Sequence, residues 1–129
     1  MAHLDVRLVA AERTVWSGDA KIVIARTTEG DVGILPGHAP LLGLLKAGVV
    51  EVRTTDDEYY VAAAPEGFIS VANDRVSILA EHAEMAHEID LEEAKRDLER
   101  AHATGAHEED HEEHVERAEA RVRAAELQG

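Results

Sequence analysis

The stretch VEVRTTDDEYYVAAAPEGFISVANDRVSILAE, residues 50–81, decides the fold of this chain. Its apolar residues alternate with polar ones, as Val50 and Val52 do on either side of Glu51, and a period of two residues is typical of half-buried strands. Groups of turn residues separate the runs: Asp56-Asp57, Pro65-Glu66-Gly67 and Asn73-Asp74. The stretch therefore predicts several short strands joined by tight turns, a pattern typical of an antiparallel sandwich or barrel.

The same pattern continues toward the N-terminus, where Leu4, Val6 and Leu8 alternate with Asp5 and Arg7. Runs of this kind predict strands at residues 21–27, 58–64, 67–72 and 75–81. Further turns are predicted at Ser17-Gly18, Glu29-Gly30 and Pro36-Gly37. Gly30, Gly33 and Gly37 are interpreted as turn glycines, because a phosphate loop would need a following G-K-[ST] and a helix.

The period changes to that of a helix after residue 89. Leu91, Ala94, Leu98 and Ala101 recur at steps of three and four, and Asp90 with Glu93 makes a capping pair before them. Thr104-Gly105 is a plausible stop, and a second helix is predicted from about Glu108. Its apolar stripe consists of Val115, Ala118, Val122 and Ala125.

The predicted fold class is α+β, mainly β. An N-terminal antiparallel β-sandwich spans residues 1–85, and a C-terminal antiparallel two-helix hairpin spans residues 86–129. The alanine-rich faces of the hairpin can approach closely but bury little area, and short helices depend on tertiary contacts. We therefore expect the hairpin to be able to dock on the sandwich and to leave it.

The charge of the chain limits its partners. The formal net charge is −14, from 27 acids against 13 Lys and Arg, and this excess repels nucleic acid and anionic lipid. Residues 84–129 carry −9 of it, and residues 1–83 carry −5. The sequence shows no run long enough to insert into a membrane, no targeting signal and no cysteine, so we expect a soluble cytoplasmic protein without thiol chemistry.

HEEDH, residues 107–111, matches the H-E-x-x-H pattern in which two His bind zinc and Glu activates a water. A catalytic zinc site also needs a third ligand and an apolar surround. Residues 106–116 contain six acids, three His and a single large apolar residue, Val115. We interpret His107, His111 and His114 as a solvated face that binds metal only adventitiously, and predict no metal site.

GDVGILPGHAPLLGLLKAG, residues 30–48, resembles the epsilon subunit of bacterial F-type ATP synthase. That family carries G-[ED]-x-G-[IV]-x-P-G-H-A-P-L-L, which residues 30–42 match throughout. The likeness extends to LDVRLVAAERTVWSG at 4–18, EGFISV at 66–71, VSILAE at 76–81 and the two helices. It covers essentially the whole chain.

The resemblance implies a non-catalytic rotor subunit of a proton-translocating ATP synthase. The sandwich is expected to bind the gamma subunit and to stand on the membrane c-ring, at the cytoplasmic face of the bacterial cell membrane and peripheral to it. Asp31 and His38 lie on the loop that contacts the rotor in this family. The alternative is that Asp31 completes a turn and that His38 binds nearby backbone. Pro36-Gly37 predicts a type II turn that stiffens this loop.

The resemblance also implies that the hairpin extends toward the alpha and beta subunits and blocks ATP hydrolysis. Basic residues of the last helix then meet an acidic segment of beta, and Arg117, Arg121 and Arg123 are the candidates here. Arg117 and Arg121 stand four apart and share one helical face. The alternative is ordinary compensation of the helix dipole and of neighbouring acids.

Some members of the family bind ATP in the folded hairpin through I-D-x-x-R-A and arginines of the second helix. Ile89, Asp90 and Ala94 match the first motif, but Glu93 replaces its arginine and would repel phosphate. Arg117 and Arg121 match the second. Asp90 and Glu93 are better explained as a helix cap, so regulatory ATP is kept only as an alternative and no cofactor is otherwise expected.

Two further functions stay open at this point. One is a zinc hydrolase that uses HEEDH, and the other is an acidic adaptor whose hairpin binds helices of other proteins.

Overall fold

The computed structural model describes residues 2–64, 66–103 and 111–128. Within these ranges, eight strands precede a short 3₁₀ helix, Ala86–Glu88, and two α-helices. The strands are β1 Leu4–Val9, β2 Thr14–Thr27, β3 Gly30–Ile34, β4 Leu41–Thr54, β5 Tyr59–Ala64, β6 Gly67–Ala72, β7 Arg75–Ala80 and β8 Glu84–Met85. The helices are α1 Leu91–Ala103 and α2 His111–Gln128. The prediction of a β-sandwich followed by two helices is confirmed.

The strands pair in the order β3-β2-β1-β7-β6-β4-β5-β8, and an additional pairing of β2 with β4 closes a ring of five strands. Closure is possible because β2 and β4 are 14 residues long. The first half of β4 pairs with β6, and its second half pairs with β5 and β2. One long strand therefore belongs to both layers of the sandwich.

The interior of the sandwich is aliphatic, as the scarcity of aromatic residues predicts. The largest side chains that are fully buried there are Leu4, Ile34, Ile69 and Ile78, followed by four valines. They alternate along their strands with exposed positions, which is the period of two seen in the sequence. Trp16 and Tyr60 pack at the margin of this core, with ring centroids 5.7 Å apart.

Two predicted turns are wrong. Ser17 and Gly18 lie inside β2, and Gly33 lies inside β3. Gly18 has a packing role, since a Cβ built there would lie 2.9 Å from Cη2 of Trp16. The glycine therefore makes room for an indole ring, a use that cannot be distinguished from a turn signal in sequence.

The pair β1–β7 is parallel, although the predicted sheet was antiparallel. Asp5 lies opposite Arg75 and Val9 lies opposite Leu79. The two other strands that border this pair are antiparallel to it, because β1 also pairs with β2 and β7 also pairs with β6. Parallel neighbours require a long connection, and here strands β2 to β6 provide it.

Helix α1 begins as predicted. The Asp90 carboxylate accepts a hydrogen bond from the Glu93 backbone N–H at 3.1 Å, and the Asp90 carbonyl accepts from Ala94 N at 2.9 Å. Asp90 is therefore the N-cap of α1. The predicted stop at Thr104-Gly105 and the predicted start of the second helix at Glu108 lie outside the described residues, as does His107.

Helix α2 buries more than the predicted stripe. Ala118 is buried, but so are Ala120 and Ala124, which lie on a different face of the helix. The helix buries two faces because it lies between α1 and the sandwich, contacting β4 and β5. In the described residues, no helix combines the length and apolar composition that a membrane crossing requires.

Candidate functional site

The hairpin is docked on the sandwich through α2. Ala120 and Ala124 pack with Val61 and Ala63 of β5 in a small apolar cluster, here called the docking cluster, which is separate from the sandwich core. Small side chains let the helix lie close to the strand, but they bury little apolar surface. The cluster therefore contributes modestly to docking, and polar contacts at its edges gain importance.

Two arginines predicted to act in inhibition tie α2 to the sandwich. Arg117 Nη2 lies 3.1 Å from Glu66 Oε2, with both side chains partly exposed. Arg121 Nε lies 2.8 Å from Glu84 Oε1, and its Nη1 lies 3.1 Å from Asp97 Oδ2 of α1. Arg121 therefore joins the sandwich and both helices.

Arg121 is the more buried of these two arginines, with 28% of its side chain exposed. Burial alone lowers the pKa of its guanidinium, but the hydrogen bonds and charges of Glu84 and Asp97 outweigh that cost and raise it. Arg121 is thus a charge held in place by two carboxylates. A partly buried network of ion pairs stabilises docking more than an exposed pair does, because solvent screens it less.

Arg123 points elsewhere. It lines a cleft of about 520 Å³ between α2 and the β2–β3–β4 side of the sandwich, together with Arg26, Asp31 and Glu119. Asp31 lies opposite Arg26 at the start of β3 and is exposed. The structure thus brings one predicted rotor residue, Asp31, and one predicted inhibitory residue, Arg123, to the same cleft.

The loop between β3 and β4 contains the predicted turn. Gly37 has φ +86°, and the His38 backbone N–H donates to the Leu35 carbonyl at 3.1 Å, as a type II turn requires. Asp74 of the β6–β7 turn accepts a 2.7 Å hydrogen bond from Gly37 N. His38 Nδ1 lies 2.6 Å from the Ala39 carbonyl oxygen. The loop is therefore rigid, and the contact of His38 with nearby backbone is present.

An exposed apolar row crosses three strands of the sandwich. Leu44 of β4 lies opposite Phe68 of β6, and Phe68 lies opposite Leu79 of β7. These side chains are 52%, 52% and 51% exposed with the hairpin docked. Leu42, on the same face of β4, is 76% exposed. Large apolar residues placed contiguously on a surface mark an interaction site.

The residues of the ATP alternative are not gathered around one cavity. Ile89 and Ala94 are buried in the docking cluster, and Asp90 caps α1. Arg117 and Arg121 line a separate cavity of about 220 Å³. An anion at these arginines would compete with Glu66, Glu84 and Asp97.

The candidate zinc site lies largely outside the described residues, because His107 and Glu108 are not among them. His111 and His114 are described, on the first turn of α2. In the ranges that the structure describes, no group of three or more His, Asp or Glu is placed to hold a metal ion.

Comparison with known proteins decides the family. Residues 3–86 match the family model of the β-sandwich domain of the ATP synthase delta/epsilon chain. The ATP synthase epsilon chain of Streptomyces coelicolor is 53% identical over 125 residues, which cover 96% of each chain. The chain belongs to the ATP synthase epsilon-chain family.

Other relatives agree with this membership. The ATP synthase epsilon chain of Streptomyces avermitilis is 59% identical over 104 residues, covering 81% of this chain and 84% of that one. A chain of the Euglena gracilis mitochondrial ATP synthase shares the fold with a TM-score of 0.75 at 24% identity, over 98% of this chain and 79% of that chain. A chain of the Tetrahymena thermophila mitochondrial ATP synthase shares the fold with a TM-score of 0.64 at 16% identity, over 98% of this chain and 96% of that chain. ATP synthase epsilon chains are subunits of a membrane-associated complex.

The sequence analysis missed the apolar row, although a signal for it exists. Adjacent residues of a strand face opposite sides, so two neighbouring large apolar residues make both sides apolar. Phe68-Ile69 and Ile78-Leu79 are such pairs, and in each of them the isoleucine is buried and its neighbour is exposed. Leu44-Leu45 repeats the arrangement.

Proposed function

We propose that this epsilon-family chain is a rotor subunit of ATP synthase, whose sandwich binds the gamma subunit through the apolar row. The observation that supports this best is the exposure of Leu44, Phe68 and Leu79 while the hairpin is docked. Water contact with so much aliphatic and aromatic surface is unfavourable, and a partner that covers it gains free energy. The docked hairpin does not compete for this surface.

The rigid β3–β4 loop that contains His38 is proposed to contact the c-ring, together with Asp31 at the start of β3. Its support is the turn at Gly37 and the hydrogen bond from Gly37 to Asp74, which hold the loop in one conformation. A preorganised loop loses less conformational entropy when it meets a partner. Polar loops of the ring are the expected surface, at the cytoplasmic face of the membrane.

The hairpin is proposed to inhibit ATP hydrolysis after it leaves the sandwich. In the docked state, the guanidinium groups of Arg117 and Arg121 are occupied by Glu66, Glu84 and Asp97. The same groups can bind an acidic segment of the beta subunit only when these pairs open, and Arg123 would join them. Docking and inhibition are therefore mutually exclusive, and the chain regulates without catalysing a reaction.

The proposal is tested by adding the chain to a catalytic head of alpha, beta and gamma subunits that lacks it, and measuring both affinity and ATP hydrolysis. Phe68→Ser is expected to weaken binding at least tenfold, because it removes a central aromatic contact. Ser70→Ala, on the same strand and face, is the matched control and should bind normally. A chain ending at Met85 should bind without inhibiting.

Two results would contradict the proposal. If Phe68→Ser binds the catalytic head as tightly as the parent chain, the apolar row is not the gamma-binding surface. Strong inhibition by the chain ending at Met85 would remove the hairpin as the inhibitory element.

A further inference from the structure

Gln128, at the C-terminal end of α2, binds the backbone of β5 at two points. Its side-chain Nε2 donates to the Tyr59 carbonyl at 2.8 Å, and its Oε1 accepts from the Val61 backbone N–H at 2.9 Å. Both contacts are partly buried, and they join residues 67 to 69 positions apart in the chain. One side chain thus satisfies a backbone donor and a backbone acceptor of the sandwich.

These two groups lie on an open edge of the sheet. Along that edge, β8 pairs with Ala62 and Ala63, and within the described residues no strand continues the pairing to Tyr59 and Val61. The opposite edge of β5 is taken by β4. In a parallel pair of strands, one residue donates its N–H to a carbonyl of the neighbouring strand and accepts from the N–H two residues further along that strand. The Gln128 side-chain amide makes the same two hydrogen bonds, to the Tyr59 carbonyl and the Val61 N–H, and so takes the place of one such residue. Gln128 therefore completes the sheet where its edge would otherwise be exposed.

Gln128 lies at one end of the interface between α2 and β5, where its contact can decide whether that end of the helix stays docked. Helix α2 runs antiparallel to β5, since Arg117 meets Glu66 just beyond the end of β5 and Gln128 meets Tyr59 at its start. Between them lie the apolar contacts of the docking cluster and the ion pairs of Arg121 with Glu84 and Asp97. Arg117 and Glu66 are 49% and 41% exposed, so solvent screens their attraction.

The Gln128 contact differs from the ion pairs in kind. It is neutral, and its partners are backbone groups that lose their hydrogen bonds if the side chain is replaced by an apolar one. Water can replace both hydrogen bonds once the end of α2 moves away. Releasing Gln128 therefore opens the end of the interface that the ion pairs of Arg117 and Arg121 do not hold.

We propose that Gln128 is the residue that holds the hairpin docked, by capping the Tyr59–Val61 edge of β5. This inference rests on the proposed function, in which the hairpin leaves the sandwich. The role is one of positioning, because Gln128 determines whether Arg117 and Arg121 are released to a partner and need not touch that partner itself.

The test uses the full chain with Gln128→Leu, which keeps the size of the side chain but removes both hydrogen bonds, and Gln128→Glu, which keeps only the acceptor at neutral pH. Glu126→Gln is the matched control, since Glu126 is an exposed residue of the same helical turn. The first measurement is hydrogen exchange at the Val61 amide, with the Ile69 amide in the centre of the sheet as reference. The second is the distance between labels on Asp56→Cys and Glu99→Cys, in a chain that otherwise has no cysteine.

In Gln128→Leu, we expect Val61 to exchange about tenfold faster or more and the label distance to broaden, while Ile69 is unchanged and Glu126→Gln resembles the parent chain. Gln128→Glu loses the donor to Tyr59 but still accepts from Val61, so we expect a smaller acceleration at Val61. Unchanged exchange at Val61 in Gln128→Leu would overturn the proposal. Equal acceleration at Ile69 would also overturn it, because Gln128 would then stabilise the whole sandwich.

The same variants separate this inference from the proposed function. If Gln128→Leu undocks the hairpin but neither form inhibits ATP hydrolysis by the catalytic head, the proposed inhibition fails and the role of Gln128 stands. If the parent chain inhibits and Gln128→Leu leaves docking unchanged, the role of Gln128 fails and the proposed inhibition stands.

Discussion

Tyr59 shows how a single residue at the docking interface reports on its surroundings. Burial raises the pKa of its phenol to about 12, and the hydrogen bond to Glu51 and the charge of Glu51 add to the shift. The hydroxyl donates to Glu51 Oε1 at 2.5 Å, and the Arg53 guanidinium lies 5.3 Å from the ring centroid. The neutral form of the phenol is therefore favoured in the folded chain.

Because of this raised pKa, the free energy of unfolding is expected to fall as the pH rises above 10. Unfolded tyrosine releases its proton near pH 10, whereas folded Tyr59 holds it to about pH 12. The contribution of Tyr59 to the free energy of unfolding is complete below pH 10. It is lost as the pH rises toward 12, because in that range the unfolded chain binds fewer protons than the folded chain. In urea unfolding across pH 8–12, Tyr59→Phe should flatten this decline relative to the parent chain. An equal slope in both would contradict the assignment, and Tyr60, present in both, cancels in the comparison.

At the scale of the element, the strands show what the sequence can and cannot predict. The run at 67–72 coincides with β6, and those at 58–64 and 75–81 differ from β5 and β7 by one residue. Alternation was sufficient for β6 and β7, each of which buries one face, whereas β5 is buried on both faces and was predicted from its apolar run between turn residues. β3 was missed because two of its five residues are glycines, and the second buried face of α2 was missed because alanines carry little periodic signal.

The candidate site was predicted in part for the same reason. The charges of Arg117 and Arg121 are visible in the sequence, but their partners Glu66, Glu84 and Asp97 are 24 to 51 residues away. No local pattern specifies such pairings. The two hydrogen bonds of Gln128 were missed on the same ground, since they depend on where α2 lies on β5.

Strand β6 offers a direct test of its two faces. Ile69→Ala should lower the free energy of unfolding by about 2–5 kcal/mol, because it leaves a cavity in the core. Phe68→Ala, one residue earlier on the exposed face, should change it by less than about 1 kcal/mol in the isolated chain. Chemical unfolding of both variants measures the difference. A large loss from Phe68→Ala would mean that the apolar row supports the fold.

At the scale of the whole molecule, two bodies of like charge are held together by local contacts. The sandwich, residues 1–85, carries a formal charge of −6, and residues 86–129 carry −8. Their mutual repulsion acts over distances longer than 10 Å, whereas the pairs of Arg117 and Arg121 join atoms 2.8–3.4 Å apart. Added salt weakens the long-range term first.

Moderate salt should therefore favour docking. Between about 0.01 and 0.15 M NaCl the screening length falls from about 30 to 8 Å, which suppresses the repulsion but leaves contact pairs largely intact. The docked fraction, measured from the labels on Asp56→Cys and Glu99→Cys, should rise over this interval. A steady fall from the lowest salt onward would show that the ion pairs dominate docking.

The parallel pairing of β1 with β7 has a consequence for synthesis on the ribosome. Asp5 finds its partner Arg75 only after 70 further residues have been added, which takes roughly 4–14 s at usual rates of translation. During that time the nascent chain can form the β1–β2 hairpin, but one side of β1 has no neighbour. Asp5 and Arg7, both charged, then discourage a second nascent chain from pairing with it.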